Sequence, residues 1–377
     1  MKKFSDVIIC IICLLISFSL FILLILGSHE DFSERENKAL QKMPNLSFNS
    51  LANGSFFSKL SDFSADQFPF RSLFCSISSL SDLALRKETN GVIVTKDGYL
   101  AVRPEYENTT ILSENLDAIS KFFEANNKAP SYLLVAPRAI DVIADKLPPS
   151  FYDEYGENEY RLLKKKISSE KLIDTSESLK NLSERGQQIW YKSDHHWTTI
   201  GAYEAYLMLC QRLGESEYSL EHFNTERVSD SFLGSSFSRS GLPEFSSFTD
   251  TVEIYRHTDD QDTEITAPTQ KKTYMGFYDE TALLKKDKYR VFLGGNLDLL
   301  QIRDTKKEKQ KILLIKDSFA NSLIPFLALH YDIDIIDLRY YKASLKNYIE
   351  ENKFDKILLV FGIDTLSTDV SCTYIIK

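Results

Sequence analysis

Three short apolar runs near the carboxyl end place the strongest constraint on how this chain can fold. They span residues 311–316, 334–338 and 356–361, with stretches of helical composition between them. Two earlier segments, 131–138 and 171–174, repeat the pattern. Apolar runs of this length fit buried strands, and strands that alternate with helices imply a parallel sheet covered on both faces. We therefore predict an α/β fold with three layers, αβα, around a parallel central sheet.

Helices and one irregular region are predicted between these strands. Residues 111–127 form an amphipathic pattern, and 159–170 form a charged helix. A third helix begins at Thr198 or Thr199, residues whose hydroxyl groups can cap it. Residues 214–290 are rich in Ser, Asp and Thr and have weak periodicity. We predict that this region is an insertion of loops and edge strands.

The amino terminus carries one uncharged apolar run, from Val7 to Gly27. Its length of about 21 residues is enough to cross a hydrocarbon core of about 30 Å. Lys2 and Lys3 precede the run and acidic residues follow it, so the positive-inside rule places the rest of the chain outside the cytoplasmic membrane. A cleaved signal peptide is the rival interpretation, but its apolar region is usually shorter, about 7–15 residues. We favour an uncleaved single-pass anchor.

These segments predict three parts: an anchor over 1–27, a stalk and helical lead-in over 28–90, and a catalytic domain over 91–377. The net charge of −9 argues against nucleic acid as a partner. The five cysteines form neither a disulfide framework nor a Cys-x-x-Cys metal pattern. One histidine pair is present, without a third ligand at metal-like spacing. We predict neither a metal nor another cofactor.

Residues 194–197 read Asp-His-His-Trp and offer an acid and a base. In an extended segment, the side chains of residues i and i+2 lie on the same face. Asp194 and His196 would then point the same way, and the carboxylate would orient the imidazole. His195 and Trp197 would point to the other face. A plain polar loop with a packed tryptophan is the alternative interpretation.

Ser318 stands where α/β proteins usually keep their chemistry, directly after the apolar run 311–316 and an aspartate. Pro325 lacks an N–H group and fits only the first turn of a helix, so we expect Ser318 in the turn between strand and helix. Amide groups in such a turn favour incoming negative charge. His196 would remove the hydroxyl proton, and Asp194 would stabilise the imidazolium. An ordinary Asp-Ser turn is the alternative.

The Asp-His-His-Trp sequence, followed later by Lys-Asp-Ser-Phe-Ala-Asn-Ser, resembles the bacterial DHHW family. That family belongs to the SGNH-hydrolase-like group, together with the alginate O-acetylation proteins. Three more stretches match: Arg-Glu-Asn-Lys-Ala-Leu at 35–40, Phe-Leu-Gly-Gly-Asn at 292–296 and Ile-Asp-Leu-Arg-Tyr at 336–340. The resemblance covers roughly residues 30–377. The histidine here precedes the serine, unlike in standard SGNH hydrolases, but triads are recognised by geometry rather than by order.

The resemblance implies a membrane-anchored, extracytoplasmic acyltransferase with an SGNH-hydrolase-like domain. Ser318 would carry an acetyl group and pass it to a hydroxyl of a surface or secreted polysaccharide. A multi-spanning membrane O-acyltransferase would be the partner that supplies the acetyl group. Two other functions stay open: a carbohydrate esterase that gives the acyl group to water, and a non-catalytic subunit that binds or assembles polysaccharide.

Further residues are candidates for stabilising an oxyanion or binding substrate. Gly294-Gly295-Asn296 can offer an amide N–H and a carboxamide to an oxyanion, or can form a plain Gly-Gly turn capped by Asn. Several residues at predicted strand ends or beside the histidines would bind sugar hydroxyls or an acid group, and their aromatic members would form a sugar platform. These are Arg138, Arg339, Tyr340, Tyr341 and Trp197. Ion pairs and packing are the alternative for each.

Overall fold

The chain divides into two compact units. The first unit comprises Met1–Asn90 and Ser238–Glu244, and the second comprises Gly91–Phe237 and Phe245–Lys377. The structure, a computed structural model, describes residues 2–36, 38–104, 109–151 and 156–376. Asn37, within the stretch at 35–40 that resembles a family motif, lies outside the described residues.

A long apolar helix begins the first unit. Helix α1 spans Lys2–Leu26, and its segment Asp6–Leu26 is long and apolar enough to cross a membrane; no other described helix meets that condition. A short antiparallel strand pair and three helices follow: β1 Phe32–Ser33, β2 Lys38–Ala39, α2 Phe48–Ala52, α3 Ser55–Asp66 and α4 Arg71–Ala84.

Charged pairs connect the segment after α1 to helices α3 and α4. Glu36 pairs with Arg71 at the start of α4. Lys38 Nζ lies 2.7 Å from Asp66 Oδ1 at the end of α3. The family-like stretch at 35–40 therefore holds the helices of the first unit together, a role that its sequence alone does not reveal.

The remaining elements build mostly the second unit. In chain order they are β3 Val92–Val94, β4 Leu100–Val102, α5 Thr109–Ala125, β5 Ser131–Ala136, α6 Ala139–Val142, α7 Glu157–Lys166, β6 Leu172–Asp174, α8 Ser176–Glu184, α9 Thr199–Leu213, β7 Asn224–Phe232, α10 Ser235–Ser240, β8 Asp250–Arg256, β9 Thr263–Ala267, β10 Lys272–Met275, β11 Leu299–Asp304, β12 Gln310–Lys316, α11 Ile324–Leu327, β13 Tyr331–Ile336, α12 Leu345–Glu351, β14 Lys356–Gly362 and α13 Ile363–Thr368.

An eight-stranded sheet with the order β10-β9-β11-β13-β12-β14-β5-β6 forms the centre of the second unit. Strands β13, β12, β14, β5 and β6 pair in parallel. Strand β11 pairs antiparallel with β13, and β9 and β10 extend the sheet antiparallel beyond it. Part of the region predicted as an insertion thus lies at one edge of the sheet.

Alternating residues of the strands send their side chains into two separate cores. Ile312 and Leu314 of β12 pack in one core with residues of α9, such as Tyr206. Leu313 and Ile315 pack in the other, which also contains residues of α5 and α13. Apolar residues at consecutive strand positions therefore bury both faces of the sheet, and the predicted three-layer αβα architecture is confirmed.

Candidate active site

Ser318 lies in a 3₁₀ turn, Ser318–Ser322, between β12 and α11, as the position of Pro325 predicts. Asp317 caps this turn, since its Oδ1 accepts a hydrogen bond from Phe319 N at 2.9 Å. Its Oδ2 accepts from Gly362 N at 2.7 Å and from Thr365 Oγ1 at 2.6 Å. Asp317 therefore fixes the start of the serine turn to the end of the neighbouring strand β14.

His196 connects Ser318 to Asp194. His196 Nε2 lies 2.7 Å from Ser318 Oγ, and His196 Nδ1 lies 2.6 Å from Asp194 Oδ1. The side chains of Asp194 and His196 are buried, and Ser318 is half-buried. The structure thus brings the three predicted residues into one hydrogen-bonded chain with the order and spacing of a Ser-His-Asp triad.

Electrostatics favour a charged aspartate and a neutral histidine in this chain. Burial alone would raise the pKa of Asp194, but the adjacent His195 and His196 and a hydrogen bond from Ser235 N at 2.8 Å hold it well below its usual range. Burial and the charge of His195 lower the pKa of His196 below its usual value, although Asp194 partly opposes them. At neutral pH, His196 is therefore unprotonated and can accept the proton of Ser318.

The Asp-His-His-Trp segment is a series of bends rather than an extended strand. His195 therefore does not point away from the triad: its ring lies 3.8 Å from that of His196, centroid to centroid. Its Nδ1 is 2.6 Å from Ser235 Oγ and 3.6 Å from Asp194 Oδ1. The prediction of opposite faces for the two histidines was wrong, because side-chain alternation requires extended backbone.

Tyr289 packs on the other side of the His196 imidazole and was not predicted from the sequence. Its ring is stacked on His196 with a centroid distance of 3.8 Å and an interplanar angle of 7°. Its hydroxyl lies 3.1 Å from both Ser318 O and Ser322 Oγ. Tyr289 thus contacts both the base and the serine turn. Its only sequence signal is its place three residues before the Phe-Leu-Gly-Gly-Asn stretch.

Other residues of the predicted insertion hold the loop of residues 192–197, which carries both histidines and is here called the histidine loop. Asp250 accepts hydrogen bonds from Lys192 N at 2.8 Å, Ser193 N at 2.8 Å and Ser193 Oγ at 2.6 Å. Gly234 packs directly on Asp194: a Cβ atom at position 234 would lie 2.4 Å from Asp194 Oδ2. Aspartates and glycines are common in loops, so nothing in the sequence marks these two.

Trp197 supports the serine turn from within the core. It is fully buried, and its Nε1 donates to Phe319 O and to Ser322 Oγ, both at 3.0 Å. The prediction that Trp197 belongs to a sugar platform was wrong, because the ring has no accessible face. Its indole instead connects the histidine loop to the turn that carries Ser318.

Of the two oxyanion donors predicted in the Gly294-Gly295-Asn296 turn, the backbone amide already has a hydrogen-bond partner. Gly295 N donates to Phe292 O at 3.3 Å, so this amide is engaged and its predicted role was wrong in this conformation. Asn296 Oδ1 accepts from Lys316 Nζ at 2.6 Å and from Asn321 Nδ2 at 3.2 Å. These bonds fix the carboxamide through its oxygen, and the role of its Nδ2 group as an oxyanion donor stays a prediction.

Lys316 brings a buried positive charge beneath the serine turn. Its Nζ also donates to Asn321 Oδ1 at 2.7 Å, and no described carboxylate lies within ion-pair distance of it. Burial lowers the pKa of Lys316 to about 8, although the more distant Asp337 partly opposes that shift. Lys316 is therefore largely charged at neutral pH.

The two arginines predicted to bind substrate are both already paired with carboxylates. Arg138 is buried against Glu159, Asp141 and Asp364, so its predicted binding of an acid group was wrong: any such group would meet an excess of negative charge. Arg339 is likewise committed to Asp337 through two hydrogen bonds of 2.8 and 2.6 Å.

Two tyrosines follow Arg339 and differ in exposure. Tyr341 packs against one of the two cores and against Tyr348, so it offers little surface to a sugar. Tyr340 is exposed and stands beside the guanidinium of Arg339. It stays a candidate for sugar stacking.

A small pocket, with room for little more than one water molecule, lies beside residues that neighbour the triad in the chain. Its lining includes His195 and Phe319, the neighbours of His196 and Ser318 in the chain, together with Arg138 and Asp364. The Asp364 carboxylate is exposed and can accept hydrogen bonds from hydroxyl groups. The lining of the pocket therefore includes both apolar side chains and a carboxylate that can accept hydrogen bonds.

Asp194, His195 and His196 also form a group that could hold a metal ion, since one ligand atom from each lies within 4.8 Å of the others. Both nitrogens of His196 are already hydrogen-bonded to Asp194 and Ser318. A metal on either nitrogen would displace one of these bonds. The prediction that no metal is used stays a prediction.

Comparisons with known proteins agree with this architecture. A family model described as DHHW protein matches residues 106–336. A DHHW family protein from Eubacterium siraeum is 20% identical and matches with a TM-score of 0.64, covering 76% of this chain and 95% of that one. PatB1 from Bacillus cereus is 21% identical, with a TM-score of 0.61 and coverage of 74% and 98%, and it has also been solved with a sulfonyl adduct. No match was found among curated protein sequences.

Proposed function

The chain belongs to the DHHW family, and from that premise and the geometry of its site we propose that it is a serine acyltransferase of the SGNH-like type. The hydrogen-bonded chain from Ser318 through His196 to Asp194 carries the proposal. A binding subunit has no need for a neutral, buried imidazole held 2.7 Å from a half-buried serine hydroxyl. The same arrangement is what a nucleophilic serine requires.

In the first half-reaction, His196 Nε2 removes the proton of Ser318 Oγ as that oxygen attacks the acyl carbonyl of the donor. Asp194 holds His196 in the productive tautomer and stabilises the imidazolium. In this proposal the Nδ2 group of Asn296, whose Oδ1 accepts a hydrogen bond from Lys316, donates to the developing oxyanion. His196 then gives its proton to the leaving group, and the acyl group stays on Ser318.

In the second half-reaction, an acceptor hydroxyl takes the place of the leaving group. His196 removes its proton, the hydroxyl oxygen attacks the acyl carbon, and Ser318 recovers its proton as it leaves. In this proposal the acceptor binds next to Ser318, and because its hydroxyl is held near the acyl carbon it gains an effective molarity that free water lacks. Transfer to the acceptor then exceeds hydrolysis.

The acyl group in this proposal is acetyl, and the acceptor is a hydroxyl of a surface or secreted polysaccharide. The resemblance to the group that includes the alginate O-acetylation proteins supports this choice, as do the exposed carboxylate of Asp364 and the exposed ring of Tyr340. Helix α1 would anchor the enzyme with its body outside the cytoplasmic membrane. A multi-spanning O-acyltransferase that supplies acetyl is proposed from the resemblance alone.

The test uses the full chain in nanodiscs with a soluble acetyl ester, with and without candidate oligosaccharides, and with a chelator to remove metal ions. Acetate release and acetylated sugar are both followed by mass spectrometry, and Ser318→Ala is the control. We expect slow acetate release that is partly replaced by sugar ester when an acceptor is present. Fast release without any sugar ester would favour the esterase, and polysaccharide binding without acyl chemistry would favour the non-catalytic subunit.

A sulfonyl fluoride probe adds an independent measurement of the nucleophile. The sulfonyl adduct of PatB1 makes this class of reagent a reasonable choice. We expect the probe to label Ser318 in the wild-type chain and to leave Ser318→Ala unlabelled. Labelling of another serine in both chains would contradict the assignment of Ser318.

A further inference from the structure

Helix α4 has its polarity inverted. The side chains buried against the rest of the first unit are small and polar, namely Ser76 and Ser79. On the outside, Leu73, Ile77 and Leu80 are 56%, 52% and 38% exposed. Their spacing of four and three residues places them in one stripe of the helix. A helix that is stable in water has the opposite arrangement.

Hydrogen bonds fix α4 in this orientation. Ser79 Oγ donates to Ser240 O at 2.8 Å. Arg35 Nη2 donates to Ser76 Oγ at 2.7 Å and also to Gly241 O at 2.8 Å. Turning the apolar stripe inward would break these buried bonds, so the exposure of Leu73, Ile77 and Leu80 is built into the fold.

The neighbouring part of the first unit shows the same excess of outward apolar side chains. Phe48 is 86% exposed, and further large apolar residues near it and at the start of α4 are also exposed: Met43, Leu46, Phe57, Phe70 and Phe74. Beyond α1, only Phe63 and Leu242 of the described residues in this unit are fully buried large apolar side chains. An exposed surface of this kind marks contact with an apolar environment.

The connection to α1 indicates which environment this is. Only a few residues after α1, the ring of His29 lies 4.9 Å from that of Phe63 in α3. Glu30 O accepts from Gln67 Nε2 at 2.8 Å, and Glu30 N donates to Gln67 Oε1 at 3.2 Å. The helices with the exposed apolar side chains are thus attached at the point where the chain leaves α1.

We propose that the apolar stripe of α4 and the exposed apolar residues around α2 lie in the interfacial layer of the lipid bilayer that α1 crosses. Leucine and phenylalanine side chains on one side of a helix are the groups that insert into that layer. Residues 28–90 contain seven basic and eight acidic residues, so the attraction is apolar rather than electrostatic. Zwitterionic lipid is therefore enough to bind this surface, and anionic lipid is not required.

The test places a tryptophan on the stripe and measures its contact with lipid. The full chain with Ile77→Trp is reconstituted, one copy per nanodisc, in zwitterionic lipid with either ordinary or brominated acyl chains. The native Trp190 and Trp197 are fully buried and give a constant background, which the wild-type chain measures. We expect bromine to reduce the fluorescence contributed by Trp at position 77 at least twofold.

Two further variants make the result decisive. Leu80→Trp repeats the measurement on the same stripe, in case Ile77→Trp fails to fold by circular dichroism. Lys346→Trp, on the exposed side chain of α12, is the control for a residue in water and should show no quenching. The proposal is overturned if the stripe variants are unquenched, which would favour a protein as occupant, or if Lys346→Trp is quenched equally.

Discussion

The two halves of the site are held in place by different kinds of structure. Ser318 stands at the end of β12, and Asp317 fixes its turn to β14, so the central sheet positions the nucleophile. His196 lies in a series of bends without strand or helix. Its loop is held by side chains from far along the sequence, such as Asp250, which lies 57 residues after Ser193.

This difference teaches that the base, rather than the nucleophile, is the vulnerable half of the site. A sheet with many backbone hydrogen bonds tolerates the loss of one contact. The histidine loop depends on a few buried side-chain bonds, and each of them fixes the position of a catalytic atom. Because a misplacement of about 1 Å can cost about 10²-fold in rate, remote changes on the histidine side should reduce activity more than similar changes on the serine side.

The largest effects should come from removing either half outright. We expect Ser318→Ala and His196→Ala each to lower kcat/KM for acetyl ester by about 10³-fold or more, roughly 4 kcal/mol of transition-state stabilisation. The double variant should be no worse than either single one, because the two residues act as one unit. Steady-state kinetics check this, with thermal unfolding to confirm the fold. Additive losses would mean that the two halves act separately.

The next effect tests the support of the histidine loop. Asp250→Asn replaces a carboxylate that accepts from Lys192 N and from both donors of Ser193 with a group that can accept on one side only. We expect a lower melting temperature and a kcat about 10- to 100-fold lower, since the loop shifts and His196 with it. Asp117→Asn, in an exposed ion pair with Lys166, is the matched control. Unchanged kcat would show that the base does not depend on this support.

The serine half was predictable from the sequence because regular structure carries periodic signals. The apolar run that became β12 and the restriction imposed by Pro325 together located Ser318 in its turn. The pairing of Asp194 with His196 was also found, but for a partly wrong reason, since the backbone there bends. Bends carry no such signal.

The supports of the histidine half were not predictable. Asp250 and Ser235 belong to a region of weak periodicity, and Tyr289 is one of 19 tyrosines. Their roles depend on contacts between residues that lie far apart in the sequence, 41 positions in the bond from Ser235 N to Asp194 and 29 in the bond between Tyr289 and Ser318. Such contacts exist only after the chain has folded. The same limit explains why Trp197 was misassigned, since burial depends on what packs around the ring.

A smaller effect should distinguish charge from packing on the serine side. Below a pH of about 8, Lys316 is charged and polarises Asn296; as pH rises through about 8, that charge is lost and kcat should fall. The groups that act on Lys316 are Asp337, Arg339 and Asp317. Lys316→Met should lower kcat at pH 7 about 10-fold. It should also remove this fall of kcat at alkaline pH, here called the alkaline limb of the pH profile.

The control for Lys316 is Lys309→Met, which removes another well-buried lysine, one paired with Asp304. It should keep the alkaline limb of the wild-type chain. If kcat of Lys316→Met still falls as pH rises through about 8, another group causes that loss, and the role of the Lys316 charge is contradicted.

The pH at which activity is lost on the acid side tests the contact between the two histidines. His196 must be unprotonated to act as the base, so activity is lost as pH falls through its pKa, which burial and His195 hold below the usual value of about 6.5. His195→Gln removes the neighbouring charge and part of the side chain that shields His196 from water, so the pKa of His196 should rise. The loss of kcat/KM at acid pH should then begin at a higher pH, and the rate at neutral pH should fall at most about tenfold. A loss as large as that of His196→Ala would mean that both histidines act in the chemistry.

The smallest effect should come from Tyr289, a side chain from outside the two halves that contacts each of them. Tyr289→Phe keeps the ring stacked on His196 but removes the hydroxyl that lies 3.1 Å from Ser318 O and Ser322 Oγ. We expect a loss of about 1 kcal/mol, roughly fivefold in kcat. Tyr278→Phe removes a comparable hydroxyl, one that donates to Tyr255 O at 2.6 Å away from the triad, and it should change stability without changing kcat. If both variants lose stability and neither loses kcat, the bond between the halves is structural only, and the stacking of Tyr289 alone positions the base.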